Sequence, residues 1–430
     1  MLTSDRHLNM HLFLMGLFAL LLLSIQPARA VETGAVRSDD STEITYRRHP
    51  GDKDAPLFIW LPSEDGLQAA ERETARTLAG AGYEQWLVDL FESRFLPTTA
   101  SSLDRIAAQD ITALIDRANP QKRSVFLLSS GRGALPVLRG LHAWQLQNPD
   151  NDHTPGVILI SPQFYHQTPD PGEPARLRPI VEQTNAPIFI LQPAKSPWRW
   201  KLEQTLPALQ TSGSEVFFRL LPDVRDRFYY RPDATPSEQQ LETRLPQLIR
   251  QAALARHRWP DRPRSVSPLE QQLDPLPASK PARALKPYAG DPRPPPLQLP
   301  GLNGEDDDLA KYRGEVVLVN FWASWCPPCV HEMPSMERLQ NRLQDRPFTI
   351  LAVNMAEDKA TIRDFLKNKV NVTFPILLDR DGKALKQWDV FAFPTSNLID
   401  KQGQIRYALF GSVDWERPDI LDKIEKLLKE

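Results

Sequence analysis

"FWASWCPPCVHEMP", residues 321–334, holds Cys326 and Cys329, the only two cysteines in a chain of 430 residues. A bridge across two intervening residues closes a tiny loop. It removes little entropy from the unfolded chain and cannot staple a fold. The pair is therefore half of a metal site or a redox couple. A structural zinc site needs further soft ligands, and no other cysteine exists to give them. A c-type haem attachment needs histidine directly after the second cysteine, whereas here Val330 precedes His331. A copper chaperone wants wider cysteine spacing and a later histidine, and none follows His331. A redox couple remains.

The flanks suit such a couple. "VVLVNFW" (316–322) reads as a buried strand and "CVHEMPSMERLQNRL" (329–343) as a helix. Cys326 then stands at a helix N-terminus, where free N–H groups and the dipole favour a thiolate, and is the attacking thiol. Cys329, one turn in, is the resolving thiol. Pro327 and Pro328 bring no N–H donors. That implies weaker thiolate stabilisation and a bias towards reduction. Glu332 shares a helix side with Cys329, a position from which it takes the resolving thiol's proton. The plainer alternative is a first-turn carboxylate favoured by the dipole. Trp322 and Trp325 read as packing residues, Trp325 also abutting Cys326 where a partner docks, and His331 reads as solvated. "GEDDDLA" (304–310) reads as a helix start capped by Asp307 or Asp308, in preference to a cation site.

With "VFAFPTSNLID" (390–400), this region resembles the thioredoxin superfamily, and most nearly its TlpA-like branch of exported thiol–disulfide reductases, over about residues 293–430. The resemblance implies a thioredoxin fold and a redox-active Cys326–Cys329 pair with no metal or organic cofactor. It also implies disulfide-bearing envelope proteins as substrates and a DsbD-type membrane electron donor. Pro394 matches the family's cis-proline, beside the disulfide. With Trp325, Pro327, Pro328, Phe393 and Thr395 it makes up the expected substrate groove. Glu332 matches an acidic residue that TlpA-like members keep near the pair. One departure is Asn320, where thioredoxins carry a buried aspartate, which moves any proton relay onto Glu332 or water.

Upstream, short continuous apolar runs at 57–61, 86–91, 125–128, 156–160, 187–191 and 215–221 read as strands buried on both faces. Amphipathic stretches such as 67–82 and 103–118 separate them. The alternation predicts an α/β fold with a mostly parallel sheet. "VFLLSSGRGALPVLRG" (125–140) resembles the nucleophile elbow of the α/β-hydrolase fold, over about residues 31–255. Aligning its last glycine on Gly133 puts Gly131 at the nucleophile position and Ser129 at the first glycine, leaving Ser130 one residue out of place. The acid position after 187–191 reads "QPAKSPW". The histidine position after 215–221 reads "PDVRDRF". A degenerate, non-catalytic hydrolase-like domain is expected. The alternatives are a client-binding envelope protein with an accessory redox site, or a hydrolase with a nonstandard nucleophile such as Ser129 or Ser130.

Residues 1–30 read as a signal peptide: Arg6, an apolar run from Leu12 to Ile25, then "QPARA" with small residues at Ala28 and Ala30. An uncleaved anchor is the alternative, and either places the chain in the periplasm. Residues 256–292 open a proline-rich stretch that reads as an extended linker between the two domains. A formal net charge of −2 leaves no basic footprint for nucleic acid.

Overall fold

The structure is a computed structural model that describes residues 30–119, 123–258, 260–269 and 283–430. The expected signal peptide at 1–30 lies outside the described residues up to position 29. Among the described residues no helix is long and apolar enough to cross a membrane.

The N-terminal part is an eight-stranded sheet. Its strands are β1 (Glu32–Arg37), β2 (Glu43–His49), β3 (Leu57–Trp60), β4 (Glu84–Val88), β5 (Val125–Ser130), β6 (Gly156–Ile160), β7 (Pro187–Lys195) and β8 (Glu215–Arg225), in the order β1-β2-β4-β3-β5-β6-β7-β8. β1 and β2 run antiparallel, and β4, β3, β5, β6, β7 and β8 are mutually parallel. The sheet is thus mostly parallel, as the strand–helix alternation predicts. The continuous apolar runs have a physical reason. On β3, Leu57 and Ile59 enter the core on one face while Phe58 and Trp60 enter that on the other. Each such side chain taken from water contributes roughly 1.5–3 kcal/mol.

Three expectations need correction. The run at 86–91 ends as a strand at Val88, because the Asp89 carboxylate accepts the Glu92 N–H at 3.1 Å and caps a short helix at Leu90–Ser93. The stretch at 103–118 is two helices, Ala100–Arg105 and Ala108–Ala118, broken where Ile106 and Ala107 turn extended. β8 is not buried on both faces: it is the sheet's last strand, with Phe218 49% and Leu220 37% exposed.

The C-terminal part is a six-stranded sheet of β9 (Lys286–Pro287), β12 (Val316–Trp322), β13 (Phe348–Met355), β14 (Ile376–Asp379), β15 (Thr395–Ile399) and β16 (Ile405–Phe410), ordered β14-β13-β12-β15-β16-β9. β10 (Gln298–Pro300) and β11 (Asp306–Asp308) form a small separate pair, after which Asp308 caps a 3-10 turn at Leu309–Tyr312. β12 is parallel to β13 and antiparallel to β15. It too is buried on both faces, Val316 and Leu318 on one side, Val317 and Val319 on the other. Asn320, in step with Leu318 and Trp322, therefore points under the helix Pro327–Arg342.

The proline-rich stretch is anchored at both ends. Arg264 is 2% exposed and pairs with Glu215 of β8, and the Ser267 carbonyl meets His142 Nε2 at 2.9 Å. Leu269 packs on the N-terminal core, whereas Leu285 lies in the C-terminal core and β9 extends the C-terminal sheet.

Candidate active site

β12 delivers the chain to Ala323 and Ser324, and a turn brings Cys326 to the N-cap of the helix Pro327–Arg342. With proline at the first two helical positions, the first N–H the helix offers is that of Cys329. It points at Cys326 Sγ, 3.3 Å away. A thiolate on Cys326 would receive that N–H and the positive end of the helix dipole. The two cysteines are joined as a disulfide. Cys326 is 5% exposed and Cys329 is fully buried.

Glu332 is 1% exposed. Its Oε1 accepts from Asn320 Nδ2 at 2.9 Å, and its Oε2 accepts from the Val413 N–H at 3.3 Å and Trp415 Nε1 at 3.4 Å. Burial pushes its pKa up to about 8, against the pull of those three donors. Asn320 Nδ2 also donates to Ser396 Oγ at 2.9 Å, while Asn320 Oδ1 is buried without a partner. A neutral Glu332 has a proton to give, and a turned Asn320 amide has the free oxygen to receive it. The glutamate and the asparagine thus form one proton-responsive pair beneath the dithiol helix.

The expected groove residues come together around the pair. The Phe393–Pro394 peptide is cis, and Pro394 is buried. Thr395 opens β15 opposite Phe321 and its hydroxyl donates to the Ala392 carbonyl at 2.8 Å. Trp325 and Phe393 meet edge to face at 5.8 Å, both partly exposed, with Pro327 exposed and Pro328 partly so. Trp322 is fully buried and His331 is exposed.

Glu357 was not singled out from sequence. Its Oε2 accepts the Ser324 N–H at 2.7 Å and Asn354 Nδ2 at 2.8 Å, and its Oε1 accepts Ser324 Oγ at 2.5 Å. It fixes the turn that carries Trp325 and Cys326. The only sequence signal was an acidic residue just past the end of a strand.

In the N-terminal sheet, β5 ends in a tight turn at Gly131, whose φ of +53° is left-handed backbone that favours glycine. A side chain there would strike Glu64 Oε2 at 2.6 Å. That same oxygen accepts the Arg132 N–H at 2.8 Å, so the first backbone donor past the turn is already occupied. Ser129 Oγ donates to the Pro62 carbonyl and Ser130 Oγ to Glu71, each at 3.4 Å. Glu71 also receives Tyr229 OH at 3.0 Å, and burial pushes its pKa up to about 7. No histidine among the described residues bonds either serine. Asp226, past β8, is partly buried and accepts from Ser161 Oγ and from Ser196 Oγ, the latter at 2.9 Å.

Comparison with known proteins falls on the C-terminal part. The Redoxin family model matches residues 275–424. The thiol-disulfide oxidoreductase ResA of Geobacillus thermodenitrificans is 38% identical over 133 residues, 31% of this chain and 75% of that protein. Its counterpart in Geobacillus kaustophilus is 38% identical over 122 residues, 28% of this chain and 70% of that protein. Among solved structures, a putative thiol:disulfide interchange protein DsbE from Chlorobium tepidum is 29% identical, covering 34% of this chain and 99% of its own, with a TM-score of 0.31. By its CPPC pair, the thioredoxin-type sheet that carries it and an identity spanning three quarters of a curated relative, this chain belongs to the ResA-like thiol–disulfide oxidoreductases.

Proposed function

We propose that the protein is an exported reductase of disulfides on periplasmic proteins. Reduced Cys326 attacks a substrate disulfide as thiolate, forming a mixed disulfide and releasing one substrate thiolate. Cys329 then attacks Cys326 Sγ, closing the Cys326–Cys329 bond and releasing the second. Two electrons pass to the substrate. Glu332 manages the Cys329 proton, and Trp325, Pro327, Pro328, Phe393, Pro394 and Thr395 hold the substrate chain. The pair is re-reduced by another dithiol, a DsbD-type membrane donor being the class the resemblance implies. No cofactor beyond the two cysteines is required.

The observation that carries this reading is the single helix N–H aimed at Cys326 Sγ, with a high-pKa carboxyl one turn beyond Cys329. One donor, where a proline-free turn would offer more, supports modest thiolate stabilisation and hence the reducing direction. The apolar run and small-residue site at 12–30 support export. The N-terminal sheet is read as hydrolase-like and non-catalytic, on the support of a glycine at the turn apex and a carboxylate on the Arg132 N–H. Full-length protein carrying Cys329→Ser, expressed in its exported form, is expected to accumulate mixed disulfides with envelope proteins. If none form, and the wild type does not reduce insulin, the reading fails.

A further inference from the structure

The N-terminal part does not stand apart from the dithiol. Arg231 Nη2 donates to the carbonyl of Trp325, the residue before Cys326, at 3.5 Å. The Arg225 guanidinium lies 6.0 Å from the Trp325 ring centre. Further along, Phe391 sits in an aromatic cluster with Tyr165 and Trp198, at 5.5 and 6.3 Å between ring centres. Lys201 Nζ stands 3.5 Å over the Phe391 ring and pairs with Asp389. The segment 389–393, which leads into cis Pro394, is thus held from outside its own domain.

The side chains that hold it rest on the loops that follow β6, β7 and β8. Asp226 binds Ser161 and Ser196 and offers its carbonyl to Arg231 Nη1 at 3.5 Å. Ser196 in turn caps the 3-10 turn Pro197–Lys201 that presents Trp198 and Lys201. Asp226 therefore ties together the segments that reach Trp325 and Phe391, its carboxylate holding Ser161 and Ser196 and its carbonyl holding Arg231. The contact adds no free charge beside Cys326. Arg231 is paired with Asp233 at 2.9 Å, and Arg225 with Asp233 and the buried Glu238. Its effect on a substrate is one of space, not of electrostatic steering.

We propose that the N-terminal domain is a wall of the dithiol site and sets which disulfides reach Cys326. Disulfides on slender, extended segments enter between the wall and the Trp325–Phe393 platform. Disulfides on the face of a rigid folded domain are excluded until the wall swings away. This deepens the reductase reading and rests on it for the substrate, but the geometry is tested without any exchange chemistry.

The test uses reduced full-length protein carrying Cys329→Ser, so that Cys326 is the one thiol. Its alkylation rate is measured with iodoacetamide and with the same warhead fixed to the surface of a small, rigid globular protein, each relative to glutathione. The bulky-to-small ratio is expected to be about tenfold lower than for glutathione, since the bulky reagent sees only the open fraction. It is expected to recover when Trp198→Ala or Lys201→Met is added. A ratio equal to that of glutathione overturns the proposal. So does a low ratio that persists in both wall variants. If Trp198→Ala does not fold, as judged by thermal unfolding, Lys201→Met decides alone. Failure of the reductase reading is separate and appears as an inability of the wild type to reduce either insulin or a small aromatic disulfide.

Discussion

Replacing Glu332 with glutamine removes a buried ionisable group and keeps its shape. In the folded protein the carboxyl titrates near 8, against an ordinary value of 4.5. Below pH 4.5 it is neutral in both the folded and unfolded chain, and its contribution to stability is fully present. As pH rises, the unfolded chain releases the proton while the folded one retains it, so stability falls until pH passes about 8. At about 1.36 kcal/mol per decade the loss reaches at most roughly 5 kcal/mol. Glutamine carries no such penalty, and its amide finds the unpartnered Asn320 Oδ1 nearby. The oxidised wild type and Glu332→Gln should match within about 1 kcal/mol at pH 5. By pH 9 the variant should be the more stable by several kcal/mol. Urea unfolding of both at pH 5, 7 and 9 measures this, and other titrating groups cancel in the difference. A difference flat across that range means that Glu332 is ionised throughout and is simply held by Asn320, Val413 and Trp415. In turnover the same variant should slow release of the mixed disulfide by about 10²-fold or more, if Glu332 moves the Cys329 proton.

Three further outcomes follow from the geometry. Asn320→Ala removes a donor to the Glu332 carboxylate, so the alkaline limb of the pH–rate profile should move to higher pH; an unmoved limb separates the two residues. Arg225→Ala leaves the Glu238 carboxylate buried and unpaired, which should cost about 3–5 kcal/mol in chemical denaturation; a loss under about 1 kcal/mol would contradict the buried pair. Gly131→Ser places a hydroxyl at the turn apex, yet no ester turnover is expected, because Glu64 occupies the Arg132 N–H and no histidine bonds the neighbouring serines. Hydrolysis of a nitrophenyl ester above the enzyme-free rate would refute that.

The dithiol motif was legible because its chemistry is local. Strand, turn, cysteines and helix are consecutive, and elimination among soft-ligand sites needs only a count of cysteines. β12 was legible with its full bounds, because a strand buried on both faces reads as an unbroken apolar run. The same rule misled at β8, where "VFFRLL" has the letters of a central strand and the place of an edge one. Position within a sheet is decided by the packing of the whole chain. β1 and β2 escaped notice because strands with polar and charged residues interleaved among the apolar ones barely differ from loops. Glu332 was visible from helical spacing, but its buried surroundings were not, since Val413 and Trp415, which donate to its Oε2, lie more than 80 residues away. Glu64, which fills the position before Arg132, lies 68 residues from it in sequence, and no motif announces such a plug.

The anchored proline-rich stretch bears on how the two sheets meet. Leu269 belongs to one core and Arg283 stands two residues before Leu285 in the other. Whatever path the intervening chain takes, its contour is about 50 Å. Partners leashed that closely face each other at roughly millimolar effective concentration. An interface too weak to join separate molecules would still remain mostly formed, and diluting the protein would not open it. Closure at the dithiol is then a property of each single molecule, answering to a bound substrate and indifferent to how much enzyme the compartment holds.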